Sequence, residues 1–151
     1  MQLPNFSLSD QFGVIHTSQQ YLGSWLVLYT YPKDNTPGCT AQACQFRDLS
    51  EDFTKRGVKI LGVSADSQES HDAFATKHQL QFPLLADPQQ TLIEQLGAWM
   101  PKKLFGKEFL GVKRDTFLIN PQGEIVKEYR NVNPLTNPNV VLRDLDELLK
   151  S

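Results

Sequence analysis

Apolar residues in this chain gather into short continuous runs, and amphipathic stretches lie between them. Trp25-Leu26-Val27-Leu28-Tyr29-Thr30-Tyr31 is an unbroken run rich in β-formers, bounded by Gly23 and Pro32. A strand with one wet face would alternate, so a continuous run reads as a strand buried on both faces. Val58 to Ser64, interrupted by Lys59, reads as the next buried strand, and Leu84-Leu85-Ala86 as a shorter third. Near the start, Phe6-Ser7-Leu8 followed by Asp10-Gln11-Phe12-Gly13 reads as a short strand and a turn.

The stretches between follow helical spacing. A helix from about Cys39 to Lys55 is closed by Gly57, and a second covers Gln68 to His78. Asp87-Pro88 predicts a third, reaching about Leu96, through a capping carboxylate and a first-turn proline. Thr116 to Ile119 and Ile125 to Tyr129 flank the turn-forming Asn120-Pro121-Gln122-Gly123, a hairpin signal. Asn137-Pro138 opens a last helix with Val141, Leu142, Leu145, Leu148 and Leu149 on its apolar side. Trp99, Met100 and Phe105 read as an apolar loop contact between core elements. Alternating strand and helix demands a largely parallel core, and the closing hairpin adds an antiparallel edge. The expected fold class is α/β, with a central mixed sheet flanked by helices on both faces. The absence of repeats, linkers and low-complexity tracts predicts one domain over residues 1–151.

Composition narrows the function. With 151 residues, 40% of them hydrophobic and 21% charged, the chain has enough material for a packed core. A formal net charge of -2 implies no bulk attraction to nucleic acid or to anionic membranes. Lys102, Lys103, Lys107 and Lys113, diluted by Glu108, read as a solvated surface. Arg114 at the end of that stretch is a separate matter. Met1 to Ser7 shows neither the basic nor the apolar region of a secretory signal, and Trp25 to Tyr31 is too short to span a bilayer. Two cysteines without such a signal point to a reducing, cytoplasmic compartment. There a close cysteine pair is more often redox-active or metal-binding than structural.

Both cysteines lie between Tyr31 and Cys44. Cys39 follows Thr36-Pro37-Gly38 at the expected helix start, where unpaired N–H groups and the helix dipole favour an anion. The thiolate is the nucleophilic form of cysteine, so Cys39 is the candidate reactive sulfur. On a helical projection Cys39 joins Ala43, Phe46, Leu49, Ser50 and Phe53 on one stripe, and Cys44 lies about 140° around on the polar side. Positions five apart in a helix have Cα atoms ~8–9 Å apart. A disulfide needs about 4.4–6.8 Å, so the two cannot bond while the helix is intact. Compartment and geometry both disfavour a structural disulfide. A zinc site would need four ligands at closer spacing, and His16, His71 and His78 read as surface imidazoles on separate elements. The C-x4-C spacing also differs from the C-x-x-C of thiol–disulfide oxidoreductases. The glycines form no phosphate-binding loop, and no metal, nucleotide or haem cofactor is expected.

Pro32-x-x-x-Thr36-x-x-Cys39 resembles the active-site signature of the peroxiredoxins. The longer string Tyr31-Pro32-Lys33-Asp34, Thr36-Pro37-Gly38-Cys39-Thr40, Ala43-Cys44 and Phe46-Arg47-Asp48 resembles their bacterioferritin comigratory protein branch, also called peroxiredoxin Q. Pro4-x-Phe6-x-Leu8, Val63-Ser64-x-Asp66 and Gly111-x-x-Arg114-x-Thr116-Phe117-Leu118-Ile119 extend the similarity over nearly the whole chain. The resemblance implies a thioredoxin-like fold and a thiol peroxidase acting on hydrogen peroxide and organic hydroperoxides. It implies that Cys39 is the peroxidatic cysteine and that Cys44 resolves it through an intramolecular disulfide. Thr36 and Arg114 match the family's active-site pair and Pro32 its pocket shield, so Pro32, Thr36, Gly38 and Arg114 would contact the peroxide. The implied reductant is thioredoxin, or a glutaredoxin, and the implied state a monomer. Gln42 stands where the family commonly has Glu, and Asn120 where it has Asp. Two other readings compete: a thiol–disulfide exchange protein or redox sensor that relays oxidation to a partner, and a metal-stabilised interaction module.

Overall fold

The computed structural model describes residues 1–150; for residues 102–104 and 108–110 it describes the backbone alone. The side chains of Lys102, Lys103 and Glu108 in the basic stretch therefore lie outside the described residues, as does Ser151. Strands β1 (Ser7–Ser9) and β2 (Ile15–Thr17) form a small hairpin, followed by a 3-10 turn at Ser18–Tyr21. Then come β3 (Trp25–Thr30), α1 (Pro37–Lys55), β4 (Val58–Ser64), α2 (Gln68–His78), β5 (Leu84–Ala86) and α3 (Thr91–Gln95). A second hairpin, β6 (Trp99–Leu104) and β7 (Lys107–Val112), precedes β8 (Asp115–Ile119), β9 (Ile125–Tyr129) and α4 (Asn137–Leu149).

Five strands form the central sheet in the order β5-β4-β3-β8-β9. β3 runs parallel to β4 and antiparallel to β8, so the sheet is mixed, as the βα units and closing hairpin predict. Strand alternation divides the core between the two faces. Val27, Tyr29, Ile60, Leu84 and Leu118 face one layer, packed by Phe46 and Phe53 of α1, Phe74 of α2 and Val141 and Leu145 of α4. Leu26, Leu28, Leu61, Val63, Leu85 and Phe117 face the other, covered by Phe6, Tyr21 and Leu92 and Ile93 of α3. Both faces of β3 and β4 are therefore dry apart from Lys59 near the start of β4, which is why their sequences are almost entirely apolar.

Three features depart from the expectation. α1 begins at Pro37, whose fixed φ suits a first helical position, two residues before Cys39. α3 is only Thr91–Gln95: Gln90 takes a left-handed φ of 59°, and Pro88 lies in the turn before it. The Asp87 carboxylate still accepts from the Thr91 and Ile93 amides (3.1 and 3.0 Å), so it caps the helix from a distance. The expected apolar loop is the β6–β7 hairpin, turned by Phe105 and Gly106 with φ of 52° and 78°. Two successive positive φ values match the strand twist and close the tightest hairpins. Phe105 at that tip is 96% exposed and makes no core contact, whereas Trp99 packs against the second core layer.

The topology creates a junction at one end of β3. Thr30, its last residue, pairs with Asp115, the first of β8. The chain leaving β3 toward α1 thus passes beside residues 113 and 114. Deeper in the sheet, Gly62 gives room to Tyr29: an added Cβ would lie 2.9 Å from Leu84 Cδ2 and 3.0 Å from Tyr29 Cζ. The Tyr29 ring is stacked on Phe46 at 4.7 Å between centroids and cannot yield freely. Gly62→Ala is expected to cost ~1–3 kcal/mol by overpacking, measured by urea denaturation. An unchanged midpoint would show that this contact relaxes.

Candidate active site

Thr30 holds the junction rigid. Its hydroxyl donates to the Lys113 carbonyl at 2.7 Å and accepts from the Asp115 amide at 3.2 Å. The Arg114 carbonyl accepts from the Val132 amide at 2.9 Å. With its backbone pinned on both sides, Arg114 reaches across to the start of α1. Its Nη2 donates to Cys39 Sγ at 3.4 Å and its Nη1 to Gln42 Oε1 at 3.0 Å. A lysine could not make both contacts, because they need the planar fork of a guanidinium. Lys113 departs from the solvated reading: its side chain is mostly buried and its Nζ lies 3.8 Å from the buried Asp115 carboxylate.

Gln42 extends the contact inward. It is fully buried, and its Nε2 donates to Asn137 Oδ1 at 3.1 Å, an oxygen that also accepts from the Thr116 hydroxyl at 2.8 Å. Arg114, Gln42, Asn137 and Thr116 therefore join α1, α4 and β8 in one polar chain. Neither Gln42 nor Asn137 was singled out as a site residue from sequence. The legible signal for Gln42 is its position three after Cys39, on the same helical face. Asn137 carried no such signal, since an Asn-Pro pair reads simply as a helix start.

The other sequence candidates occupy the same corner. Gly38 lies under the guanidinium: a Cβ there would stand 2.9 Å from Arg114 Nη2. Thr36 is extended (φ -89°, ψ 153°) and its hydroxyl donates to the Lys33 carbonyl at 2.8 Å, so it does not cap α1. The first helical bond runs from the Thr40 amide to the Thr36 carbonyl at 2.8 Å, which leaves the Gly38 and Cys39 amides ahead of the helical ladder. Pro32 lines an open mouth together with Met100, Pro101, Lys113, Arg114, Asn131 and Val132. Cys39 itself is only 1% exposed, with Arg114 between its sulfur and that mouth. Cys44 is not brought into this corner. It is partly exposed on another face of the unbroken α1, and both cysteines are free thiols.

Two imidazoles contradict the surface reading. His71 is fully buried, with Nδ1 2.7 Å from Asp34 Oδ2 and Nε2 2.9 Å from the Leu85 carbonyl. His16 is mostly buried between Asp10 (2.7 Å) and the Tyr21 hydroxyl (2.7 Å). Asp34, Asp66 and His71 place three possible metal-ligand atoms within 4.8 Å of one another. Hydrogen bonds already engage them: Asp66 Oδ2 accepts from the Asp34 amide and the Ser64 hydroxyl (2.9 and 2.7 Å), and Asp34 from its own donors. Burial pushes the Asp34 carboxyl up, but hydrogen bonds from His71, Tyr31 and Ser70 and the His71 charge outweigh it and hold the group below the usual range. Tyr29, beneath the site, is pushed well above its ordinary value by burial and then by negative charge at Cys39, so it stays protonated.

A thiol under a guanidinium at a helix start, on a mixed sheet of this order, defines a thiol-reactive centre in a thioredoxin-like fold. The family model for the AhpC/TSA family matches residues 1–128. Peroxiredoxin Bcp of Bacillus subtilis is 43% identical over 145 residues, covering 96% of this chain and 92% of its own. Peroxiredoxin Bcp of Escherichia coli is 40% identical over 144 residues, with 95% and 92% coverage. A cysteine-to-serine mutant of Xanthomonas campestris peroxiredoxin Q superposes with a TM-score of 0.91 at 41% identity, covering 94% of this chain and 90% of that one. The structure of the bacterioferritin comigratory protein from the same organism, described for its alkyl peroxide reduction activity, gives 0.90 at 40% identity, again with 94% and 90% coverage. This chain therefore belongs to the AhpC/TSA family and is a peroxiredoxin, a thiol peroxidase of the Bcp type.

Gly38→Ala tests the guanidinium contact without weakening the helix, since alanine is the better helix former. Losing a hydrogen bond to a charged group is worth about 1.5–3 kcal/mol, or at least about tenfold in rate. Oxidation of the variant by hydrogen peroxide, followed by stopped flow, is expected to slow by that factor. An unchanged rate would mean that Arg114 keeps its place despite the added methyl.

Proposed function

We propose that this peroxiredoxin reduces hydrogen peroxide and organic hydroperoxides with Cys39 as the peroxidatic and Cys44 as the resolving cysteine, in one thioredoxin-like domain spanning 1–151. The observation that carries this reading is the Arg114 fork, which donates to Cys39 Sγ and to Gln42 together. In the first step the Cys39 thiolate attacks the outer peroxide oxygen. The S–O bond forms, the O–O bond breaks, and the leaving oxygen takes the electron pair and then a proton, departing as water or an alcohol. The product is a sulfenic acid.

Ionising the sulfur accounts for only part of the rate. A cysteine of ordinary pKa is already a few per cent thiolate near neutrality, so complete ionisation gains roughly thirtyfold, or about 2 kcal/mol. Enzymes supply ~8 kcal/mol or more. The larger share falls to groups that meet charge growing on the leaving oxygen. The Gly38 and Cys39 amides at the helix start, with the Arg114 guanidinium against Cys39 Sγ, would take that role. The Thr36 hydroxyl donates to the Lys33 carbonyl, and its oxygen retains lone pairs with which to accept a hydrogen bond from a peroxide O–H. Pro32 and the rest of the mouth would limit access to the sulfur.

In the second step the sulfenic acid condenses with the Cys44 thiol, forming an S–S bond and releasing water. With α1 intact the two Cα atoms are ~8–9 Å apart, beyond disulfide reach, so the first turns must unwind. Opening at a helix end disrupts few hydrogen bonds. A dithiol reductant then exchanges with the exposed disulfide. We assign that role to thioredoxin, with glutaredoxin as the alternative, and place the protein in the cytoplasm as a monomer. No described helix is long and apolar enough to cross a membrane.

Peroxide consumption with a thioredoxin system separates the two sulfurs. Cys39→Ser is expected to lose all reaction with peroxide. Cys44→Ser is expected to form one sulfenic acid per chain and then stall. Sustained turnover in Cys39→Ser would overturn the assignment of the reactive sulfur, and thioredoxin-dependent turnover in Cys44→Ser that of its partner.

A further inference from the structure

The segment joining β3 to α1 carries two exposed residues on either side of a buried carboxylate, and Tyr31 at its start is buried as well. Lys33 and Asn35 face solvent, whereas Asp34 between them is 4% exposed. Its carboxylate gathers three donors: the Tyr31 hydroxyl on Oδ1 at 2.6 Å, and the Ser70 hydroxyl and His71 Nδ1 on Oδ2 at 2.8 and 2.7 Å. Its amide donates to Asp66 Oδ2 at 2.9 Å. Residue 34 is thereby tied to the end of β3, the segment after β4 and the first turn of α2. His71 carries the tie onward to β5 through the Leu85 carbonyl at 2.9 Å.

The proton positions follow from the partners. A carbonyl only accepts, so His71 Nε2 carries a hydrogen. Nδ1 faces a carboxylate that already takes two hydroxyl donors, so it donates as well. His71 and Asp34 form a closed pair, with side chains 0% and 1% exposed. Burying a carboxylate and an imidazole to hold down a surface loop is a poor route to stability, because desolvation offsets the attraction. What the pair does achieve is location. Asn35 follows in the left-handed region (φ 62°), and the Thr36 hydroxyl reaches back to the Lys33 carbonyl at 2.8 Å. The path from Asp34 to the Gly38 and Cys39 amides is thus five residues long and constrained at its start.

We propose that His71 is a positioning residue for the peroxidatic loop: through Asp34 it fixes the chain before α1, so that the Cys39 site is held during attack on peroxide while the helix beyond Asn35 stays free to unwind. The proposal rests on the reading of Cys39 and Cys44 given above. It separates two steps that share one helix end. The anchor lies outside α1, so it supports the first step without resisting the second.

Stopped-flow measurement of Cys39 oxidation, paired with quenched measurement of Cys39–Cys44 disulfide formation, tests this on the full chain. Asp34→Ala and His71→Ala are expected to slow oxidation about tenfold or more and to leave disulfide formation equal or faster. Asp34→Asn can accept from Tyr31 and donate its two N–H groups to Ser70 and to a neutral His71 ring, so it should stay within about threefold of the parent. Ser70→Ala, a milder change that removes one donor from the same oxygen, should slow oxidation about two- to fivefold. Unchanged oxidation with a lowered melting temperature, equal slowing of both steps, or Asp34→Asn as slow as Asp34→Ala would each overturn the proposal. Full-rate oxidation in Ser70→Ala would overturn it even if the alanine variants at 34 and 71 fail to fold. Persistent peroxide reaction in a Cys39→Ser control would instead refute the assignment of the sulfur.

Discussion

The N–H···S contact between Arg114 and Cys39 is the interaction on which the rest of the site depends. It joins two segments that are 75 residues apart in sequence and meet because β3 and β8 pair antiparallel. The strand that leads into α1 ends where the strand behind Arg114 begins. Thr30 locks that crossing by bonding to residues 113 and 115, so the guanidinium is aimed by backbone geometry. Gly38 then allows it to lie against the helix start. Preorganised donors of this kind act at the moment of reaction without reorganising, which is what makes them effective.

A tension runs through this arrangement. On the mechanism proposed, the start of α1 is firm enough to present a sulfur and two amides, and loose enough to bring Cys44 to that sulfur afterward. The structure divides these demands along the chain. Upstream, Asp34 ties the loop to α2 and to the segment after β4, with His71 as a link to β5. Downstream, Phe46 and Phe53 anchor α1 in the core, and Gln42 links it to Asn137 of α4. Between the two anchors lies the first turn, whose opening amides have no partner within the helix. The sites of rigidity thus bracket the turn that the proposed second step would open.

The central strands were legible because burial on both faces leaves an unmistakable apolar run, and α1 and α4 because their apolar spacing is strong. Motif order singles out Cys39, Cys44, Arg114, Thr36, Gly38 and Pro32, and the fold brings all of them but Cys44 to one corner. The misses have separate causes. The β6–β7 hairpin is rich in lysine and contains Pro101, so its pattern carries no strand signal, and its Phe105-Gly106 turn departs from the usual Asn-Gly. The third helix is shorter than its sequence suggests because Asp87 caps it across an irregular turn. His71 looked like a surface residue because a polar side chain in an amphipathic helix usually is one. Its partner is 37 residues away, and only the packing of α2 on the loop reveals the pair. Gln42 was visible only as a substitution, not as the link between Arg114 and α4.

The most direct test of the whole account is the rate of Cys39 oxidation in Arg114→Lys, measured before turnover with the fold checked by circular dichroism. Lysine keeps the charge and loses the fork that reaches sulfur and Gln42 together. The expected result is a loss of roughly ten- to a hundredfold with an unchanged spectrum, in line with about 1.5–3 kcal/mol for a hydrogen bond to a charged group. A rate within twofold of the parent would show that charge alone suffices and that the bridging geometry is incidental.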